Sequence, residues 1–322
     1  MQGLVTVFGG SGFIGTQVVR ALAKDKGVRI RVAVRNVGRG YRLRMLGDVG
    51  QIEIVQANIR NPASIARALD GAEAVVNLVA VAYEKGRQRF QSLHVMGAQH
   101  IAEAAKARKI TNFVQMSALG AVPKSPSKFA RTKAEGEAAV RKLIPTATVI
   151  RPSIVFGQED HFFNRFAALA AISPALPLIG GGHTRFQPVY VGDVAAAIAR
   201  CVRDPSTRGQ TYELGGPATY SFRELMQLIL HETGRRRLLV PLPWGVARLI
   251  GRLSELGSFL IPPQITVDQV EVLRRDNVVS EGTLGLADLG IQATAVEPIV
   301  PSYLYRYRKG GQFADVPAKL EA

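Results

Sequence analysis

The residues best placed for chemistry lie at the start of the chain. Gly9-Gly10-Ser11-Gly12-Phe13-Ile14-Gly15 follows the apolar run Leu4-Val5-Thr6-Val7-Phe8 and leads into Val18, Val19 and Leu22, which continue from Ile14 at helical spacing. A strand, a glycine turn and a helix in that order form a pyrophosphate cradle. Gly9 permits the tight turn, Gly12 the approach of backbone to phosphate, and Gly15 the close packing of helix on sheet. Ser11, Phe13 and Ile14 share the loop and are expected at the cofactor, where the helix N-terminus adds N–H donors and a positive dipole end. The next informative position ends the second strand, about 20 residues on, where an NAD site places a carboxylate for the ribose 2′-hydroxyl. This chain has Arg35 there, with Arg39 close behind. A guanidinium suits a 2′-phosphate that a carboxylate would repel. The expected cofactor is NADP(H).

Other chemistries find little support. His94, His100, His161, His183 and His231 lack metal-ligand spacing, so no metal site is expected. There is no Gly-x-Ser-x-Gly elbow and no P-loop, which argues against hydrolase and NTPase activity. The single cysteine, Cys201, lies in the apolar stretch Ala195–Val202 and is expected to be a buried, inert thiol in a reducing compartment. A net charge of +16, from 41 Lys and Arg against 25 Asp and Glu, favours acidic partners. The basic residues come in short clusters such as Arg29/Arg31/Arg35 and Arg235/Arg236/Arg237, without interleaved aromatics, so no nucleic acid is expected. No apolar stretch reaches the length of about 18 residues that a membrane span needs. The first strand begins directly after Met1-Gln2-Gly3, which leaves no room for a presequence and leads to the expectation of a cytoplasmic protein.

The elements that must position these residues alternate strand and helix. Strands are predicted at Leu4–Phe8, Val28–Val34, Ile52–Val55, Ala74–Val79, Asn112–Ser117 and Thr148–Ile150, with helices at Ala63–Leu69, Ala98–Ala107 and Lys128–Leu143 between the later ones. This is the pattern of an α/β fold, a doubly wound parallel Rossmann sheet. Beyond Arg151-Pro152 the pattern loosens: a helix at His161–Ala171, a Pro/Gly-rich loop at Ser173–Gly182, a helix at Val191–Val202 and a short strand at Thr211–Leu214. The expected division is a Rossmann-like NADP-binding domain over 1–220, with 158–185 lent to a smaller C-terminal domain over 221–322 that packs on the sheet's carboxyl edge.

With these residues in place the chain resembles the short-chain dehydrogenase/reductase superfamily, in its extended, atypical branch of NAD-dependent epimerase/dehydratase type. Asn58-Ile59 stands where that superfamily carries an Asp-hydrophobic pair at the adenine. Asn77-Leu78-Val79-Ala80 matches the segment beside the cofactor, through Leu78 and Ala80. Ser117 matches the serine ending strand five, and Pro152 and Ile154, in Arg151–Gly157, match the segment lining the nicotinamide end. Phe186–Val194 matches the turn into a late helix, and His94 occupies a helix position where asparagine is usual. The resemblance implies a catalytic Tyr-x-x-x-Lys pair, but the corresponding stretch is Phe129-Ala130-Arg131-Thr132-Lys133. A phenyl ring has no proton to exchange, so a step worth about 10²–10⁴-fold is lost. No catalytic residue is therefore assigned. Ser117, Phe129 and Lys133 form a degenerate site in which Ser117 and Lys133 serve as polar contacts to ribose or nicotinamide, and Tyr83 is the one candidate substitute acid.

One branch combines cofactor binding with that loss. Lys133–Glu137, Arg151–Asn164, Pro241–Trp244 and Thr266–Val270 are similar to the alpha-subcomplex subunit 9 family of nucleotide-binding accessory subunits of respiratory complex I, in a bacterial form. This implies a tightly held NADPH with a structural role and partners among complex I subunits near the quinone site. It also implies a peripheral position on the cytoplasmic face of a bacterial inner membrane, whose anionic surface is a further partner. The expected function is a non-catalytic NADP(H)-binding accessory or assembly subunit of NADH:ubiquinone oxidoreductase. An active NADP-dependent reductase or epimerase with an atypical acid, and an NADP redox-sensing module, remain alternatives. Within Trp244–Leu260, Val246, Ala247, Ile250, Leu253, Leu256 and Leu260 form an apolar helix face, with Arg248, Arg252 and Glu255 on another. Such a helix either packs on its own core, which the sequence favours, or rests on a membrane or partner.

Overall fold

The computed structural model describes residues 3–256 and 265–311. In chain order the first half runs β1 (Gly3–Phe8), α1 (Phe13–Ala23), β2 (Val28–Val34), β3 (Ile52–Gln56), α2 (Pro62–Ala68) and β4 (Ala74–Asn77). It continues through α3 (Met96–Ala107), β5 (Asn112–Met116), α4 (Lys128–Leu143) and β6 (Thr148–Pro152). Then follow β7 (Val155–Phe156), α5 (Phe163–Ile172), β8 (Ala175–Ile179), β9 (Arg185–Phe186), β10 (Val189–Tyr190) and α6 (Val191–Arg203). The last elements are β11 (Thr211–Leu214), β12 (Tyr220–Ser221), α7 (Phe222–Glu232), β13 (Leu238–Leu242), α8 (Trp244–Leu256), α9 (Val267–Val272) and α10 (Pro301–Leu304).

These elements form two compact units that interleave in sequence. The first comprises 1–152, 191–214 and 279–292, the second 153–190, 215–278 and 293–322. The first unit carries a seven-stranded parallel sheet in the order β11-β6-β5-β4-β1-β2-β3. Its central strands β1, β4 and β5 are buried almost end to end, as strands with helices on both faces are. Phe8, Ile65, Leu69, Ile101, Phe113 and Val140 belong to the core under α2, α3 and α4, and each side chain of this kind contributes about 1.5–3 kcal/mol on burial. Segment 279–292 lies along the edge strand β11, with the Glu213 N–H donating to Leu284 O at 2.8 Å and the Ser280 N–H to Glu213 Oε2 at 3.0 Å. A division at residue 220 therefore differs from the observed units, since this late segment returns to the sheet and protects its edge.

The second unit holds three two-stranded pairs: β7 with β10, β9 with β12, and β8 with β13. Its core includes Phe156, Phe163, Phe186, Phe222, Leu225 and Ile229. The expected loop at Ser173–Gly182 is corrected here. Ala175–Ile179 is a strand that pairs in parallel with Leu238–Leu242, with Val240 opposite Pro177. Pro177 and Pro241 hide both strands in the sequence, yet a two-stranded ribbon has outward edges that tolerate a missing N–H.

Helix α8 also departs from expectation. Ala247 is buried against Ile179 and Val270, and Gly251 is buried beside the Thr266–Val267 backbone. The larger Val246, Leu249, Ile250 and Leu253 are all exposed. The helix thus packs through its small residues and leaves its large apolar ones outward, the reverse of ordinary amphipathic packing. Leu260 lies outside the described residues, as does the side chain of Leu256.

Candidate functional site

The site begins at β1, which lies between β4 and β2 in the sheet, so that connections run off in opposite directions from its carboxyl end. Ligands of open α/β sheets bind at such a switch point. Gly9 has φ +80°, a left-handed conformation that a side chain would strain. A Cβ on Gly15 would lie 2.3 Å from Gly9 O and 2.6 Å from the Gly10 Cα, so only glycine lets α1 start this close to the turn. Helix α1 has no side-chain cap and no acidic residue in its first turn. Its N-terminal N–H groups are thereby left to an anion.

The other expected residues stand on the loops that follow the neighbouring strands. Arg35 directly follows β2 and is exposed, and its Nη1 donates to Gln88 Oε1 at 3.1 Å. Asn58 follows β3; its Oδ1 accepts the Arg60 N–H at 3.1 Å, and Ile59 beside it is buried. Leu78 follows β4, with its N–H on Phe8 O at 3.0 Å and its backbone against Gly9. Ala80, two residues on, is exposed. Pro152 closes β6. Ile154 belongs to the second unit, where its N–H donates to Asn277 Oδ1 at 3.1 Å.

Ser117 and Lys133 come together beside the end of β5. Ser117 is buried and its Oγ has no hydrogen-bond partner among the described residues. Lys133 is buried too, with Nζ donating to Met116 O at 3.3 Å. Burial lowers its pKa from the ordinary 10.5 to about 8, against the opposing charge of Glu137. Phe129, one helical turn before Lys133, is half-buried. Its ring meets Phe90 edge-on at 5.8 Å and His94 at 5.4 Å, and the lysine nitrogen lies 5.9 Å from its centroid. Position 129, where the resemblance implies a tyrosine, is therefore a phenylalanine packed in an aromatic cluster.

His94 sits in a π-turn, Gln91–Val95, and is fully engaged. Its Nε2 accepts the Val81 N–H at 3.2 Å, which leaves Nδ1 to carry the proton and donate to Thr132 Oγ1 at 3.1 Å. Burial, helped by the charge of Lys133, lowers its pKa to about 2. The ring is thus a neutral brace between the segment after β4 and helix α4, not an acid. Gly136 allows that approach, since a Cβ there would stand 2.2 Å from His94 O. Tyr83 is half-buried on the loop after β4. The glycine spacing revealed the loop, but no local signal marked Gln88, Arg60 or the bracing role of His94.

Burial pushes the pKa of the Cys201 thiol up to about 12, in keeping with an inert core cysteine. Among the described residues no group of His, Cys, Asp and Glu could hold a metal ion, and no helix is long and apolar enough to cross a membrane.

Known proteins bear on this geometry in two ways. Residues 5–215 match the family model described as NAD dependent epimerase/dehydratase family. The Arabidopsis thaliana protein named NADH dehydrogenase (ubiquinone) 1 alpha subcomplex subunit 9, mitochondrial, is 36% identical over 321 residues, covering 97% of this chain and 80% of that protein. The Mus musculus protein of the same name is 36% identical over 307 residues, with coverage of 95% and 80%. Among solved structures, the triphenylmethane reductase of Citrobacter sp. superposes with a TM-score of 0.74 at 19% identity, covering 93% of this chain and 99% of that one. At that identity the likeness concerns the fold alone. From the matched residues and these relatives, the chain belongs to the NAD dependent epimerase/dehydratase family.

Proposed function

We propose that this chain is a non-catalytic NADP(H)-binding accessory or assembly subunit of NADH:ubiquinone oxidoreductase, in which the cofactor is held and not turned over. The observation that carries this reading is Phe129. A packed phenyl ring stands where the superfamily's proton donor belongs, while Ser117 and Lys133 beside it are kept. Relatives that are 36% identical over nearly the whole chain bear the name of a complex I subunit, which supports the choice of partner.

The cofactor assignment rests on fit. The glycine loop opens backbone N–H groups to a pyrophosphate, with Gly9, Ser11, Gly12, Phe13, Ile14 and Gly15 around it. Ser117 offers an unused buried hydroxyl, and Lys133 spends one of three ammonium donors on Met116 O. Both suit the nicotinamide ribose. Arg35 takes the 2′-phosphate, Asn58 and Ile59 the adenine, and Leu78 and Ala80 the segment between, with Pro152 at the nicotinamide end. NADPH bound here would have a hydride to give, but Phe129 has no proton to accompany it.

The position we propose is peripheral, on the cytoplasmic side of a bacterial inner membrane near quinone entry, and the exposed apolar face of α8 supports its contact with a membrane surface. Val246, Leu249, Ile250 and Leu253 follow the i, i+3, i+4, i+7 pattern of an interfacial helix. Exposed Arg252 lies between them in sequence, and a basic residue near an anionic surface contributes about 1 kcal/mol.

Isolation of the chain from gently solubilised membranes tests the reading. Bound NADP(H) and co-isolated complex I subunits are expected, and Phe129→Tyr should leave cofactor affinity within about twofold, because the added hydroxyl is not needed for binding. A soluble, unattached chain without cofactor would sink the proposal. NADPH turnover by the parent protein, abolished by Tyr83→Phe or Lys133→Ala, would establish the reductase alternative in its place.

A further inference from the structure

The segment after β4 folds back on itself. The Lys85 N–H donates to Gln88 O at 3.1 Å and the Gln88 N–H to Lys85 O at 2.9 Å, forming a tight turn. At its base, Glu84 Oε1 accepts the Phe90 N–H at 2.9 Å. The tip is tied to two other loops of the same unit. Gln88 Oε1 accepts from Arg35 Nη1 at 3.1 Å, and Arg87 O accepts from Arg60 Nη1 at 3.2 Å. Arg35 follows β2 and Arg60 follows β3, while the sheet order is β4-β1-β2-β3. A turn that leaves β4 and is bonded to residues following β2 and β3 is thereby linked to them across the end of β1, where the glycine loop stands.

We propose that this turn is a strap across the dinucleotide crevice, latched by Gln88 and Arg60, and that Gln88 tunes the preference for a 2′-phosphate. The proposal rests on the NADP(H) reading of Arg35. Gln88 is a neutral acceptor. It occupies one of the five donors of the guanidinium and so fixes an otherwise mobile surface side chain, without cancelling its charge. The remaining donors and the full positive charge stay available to a phosphate. A carboxylate at position 88 would hold the same arm but neutralise it and repel the ligand. An apolar residue there would leave the arm to be ordered by the cofactor itself, at a cost in affinity. The second latch uses the main-chain carbonyl of Arg87, so it depends on Arg60 and not on the side chain at position 87. With both latches closed, the cofactor leaves only when the turn opens.

Binding constants and dissociation rates for NADPH and NADH, measured on the full-length parent, Arg35→Ala, Gln88→Ala, Gln88→Glu and Arg60→Ala, separate these claims. Gln88→Ala and Arg60→Ala should each speed release of both nucleotides by about 2- to 10-fold, the effect of freeing one ordered side chain. Gln88→Glu should lower the NADPH-to-NADH preference by at least about tenfold, because it places a carboxylate against the 2′-phosphate. If Arg35→Ala abolishes the preference but Gln88→Glu leaves it within about twofold and release rates do not change, the strap is wrong while the NADP(H) reading stands. A parent protein with no preference for NADPH overturns both.

Discussion

Two regions of the first unit, the glycine loop at 9–15 and the start of α4 at 129–133, differ in how much of a cofactor site they carry. At the end of β1 the dinucleotide cradle is complete: Gly9 is left-handed, Gly15 admits no Cβ, and α1 starts without a cap. On α4 the position that the resemblance assigns to a proton-donating tyrosine is Phe129. Phe129 lies in an aromatic cluster with Phe90 and His94, while Lys133 donates to Met116 O and the buried Ser117 hydroxyl has no partner among the described residues. The contrast teaches that holding a nucleotide and using it are separable demands on one fold. Holding depends on backbone geometry, which few substitutions satisfy. On the proposed reading, using it depends on one hydroxyl, which a single substitution removes.

Breaking the first region should have the largest effect. Gly15→Val would force a side chain into the Gly9 carbonyl and the Gly10 Cα, backbone atoms that cannot move aside. A loss of about 3 kcal/mol in stability is expected from overpacking, together with loss of bound cofactor, read by thermal unfolding and by nucleotide analysis of the purified protein. Retention of cofactor at parental levels would show that the loop is not the cradle. Arg35→Ala comes next. Charge-assisted hydrogen bonds contribute about 1.5–3 kcal/mol, so NADPH affinity should fall roughly 10- to 100-fold while NADH affinity stays nearly constant, as titration calorimetry would record. An equal fall for both nucleotides would remove the 2′-phosphate from the argument.

Much of this was legible in the sequence because it is local. Glycines at fixed offsets after an apolar run, and strands spaced by amphipathic helices, need no partner to be recognised. The illegible parts depend on distant contacts. His94 reads as an isolated histidine until Val81 and Thr132 are seen to take its two nitrogens. Gln88 reads as a polar loop residue until Arg35, 53 positions away, is found bonded to it. Pro177 and Pro241 argued against strands that a two-stranded ribbon tolerates. Helix α8 misled most, since its pattern shows which residues share a face but not whether that face is covered.

The aromatic region gives a smaller, pH-dependent prediction through His94. Its folded-state pKa of about 2 lies below the unfolded value of 6.5, so between those limits the unfolded chain binds the extra proton and stability falls as pH falls. At pH 5 the loss relative to neutral pH should be about 2 kcal/mol, from 1.5 pH units at 1.36 kcal/mol each. Denaturant melts at pH 5 and 7 on the parent and on His94→Asn would show it. An equally steep acid loss in the variant would assign the effect to other groups.

The finest test concerns Lys133, whose proposed role is to hold the cofactor beside Phe129. Burial lowers its pKa to about 8, while the unfolded chain keeps the proton up to about 10.5. Below pH 8 both states are protonated and the buried charge imposes a constant cost. Between 8 and 10.5 the folded state loses the proton first, so the stability of the cofactor-free protein should rise with pH. Cofactor affinity should move the other way over the same window, because a neutral amine donates to ribose hydroxyls more weakly than an ammonium does. The difference between charged and neutral hydrogen bonds, about 1 kcal/mol, corresponds to a roughly fivefold weaker NADPH affinity at pH 9.5 than at pH 7. Lys133→Met should bind weakly at both pH values and show neither trend. A parent protein whose affinity is flat across this window, with a variant that binds as well, would mean that Lys133 is as vestigial as the position beside it.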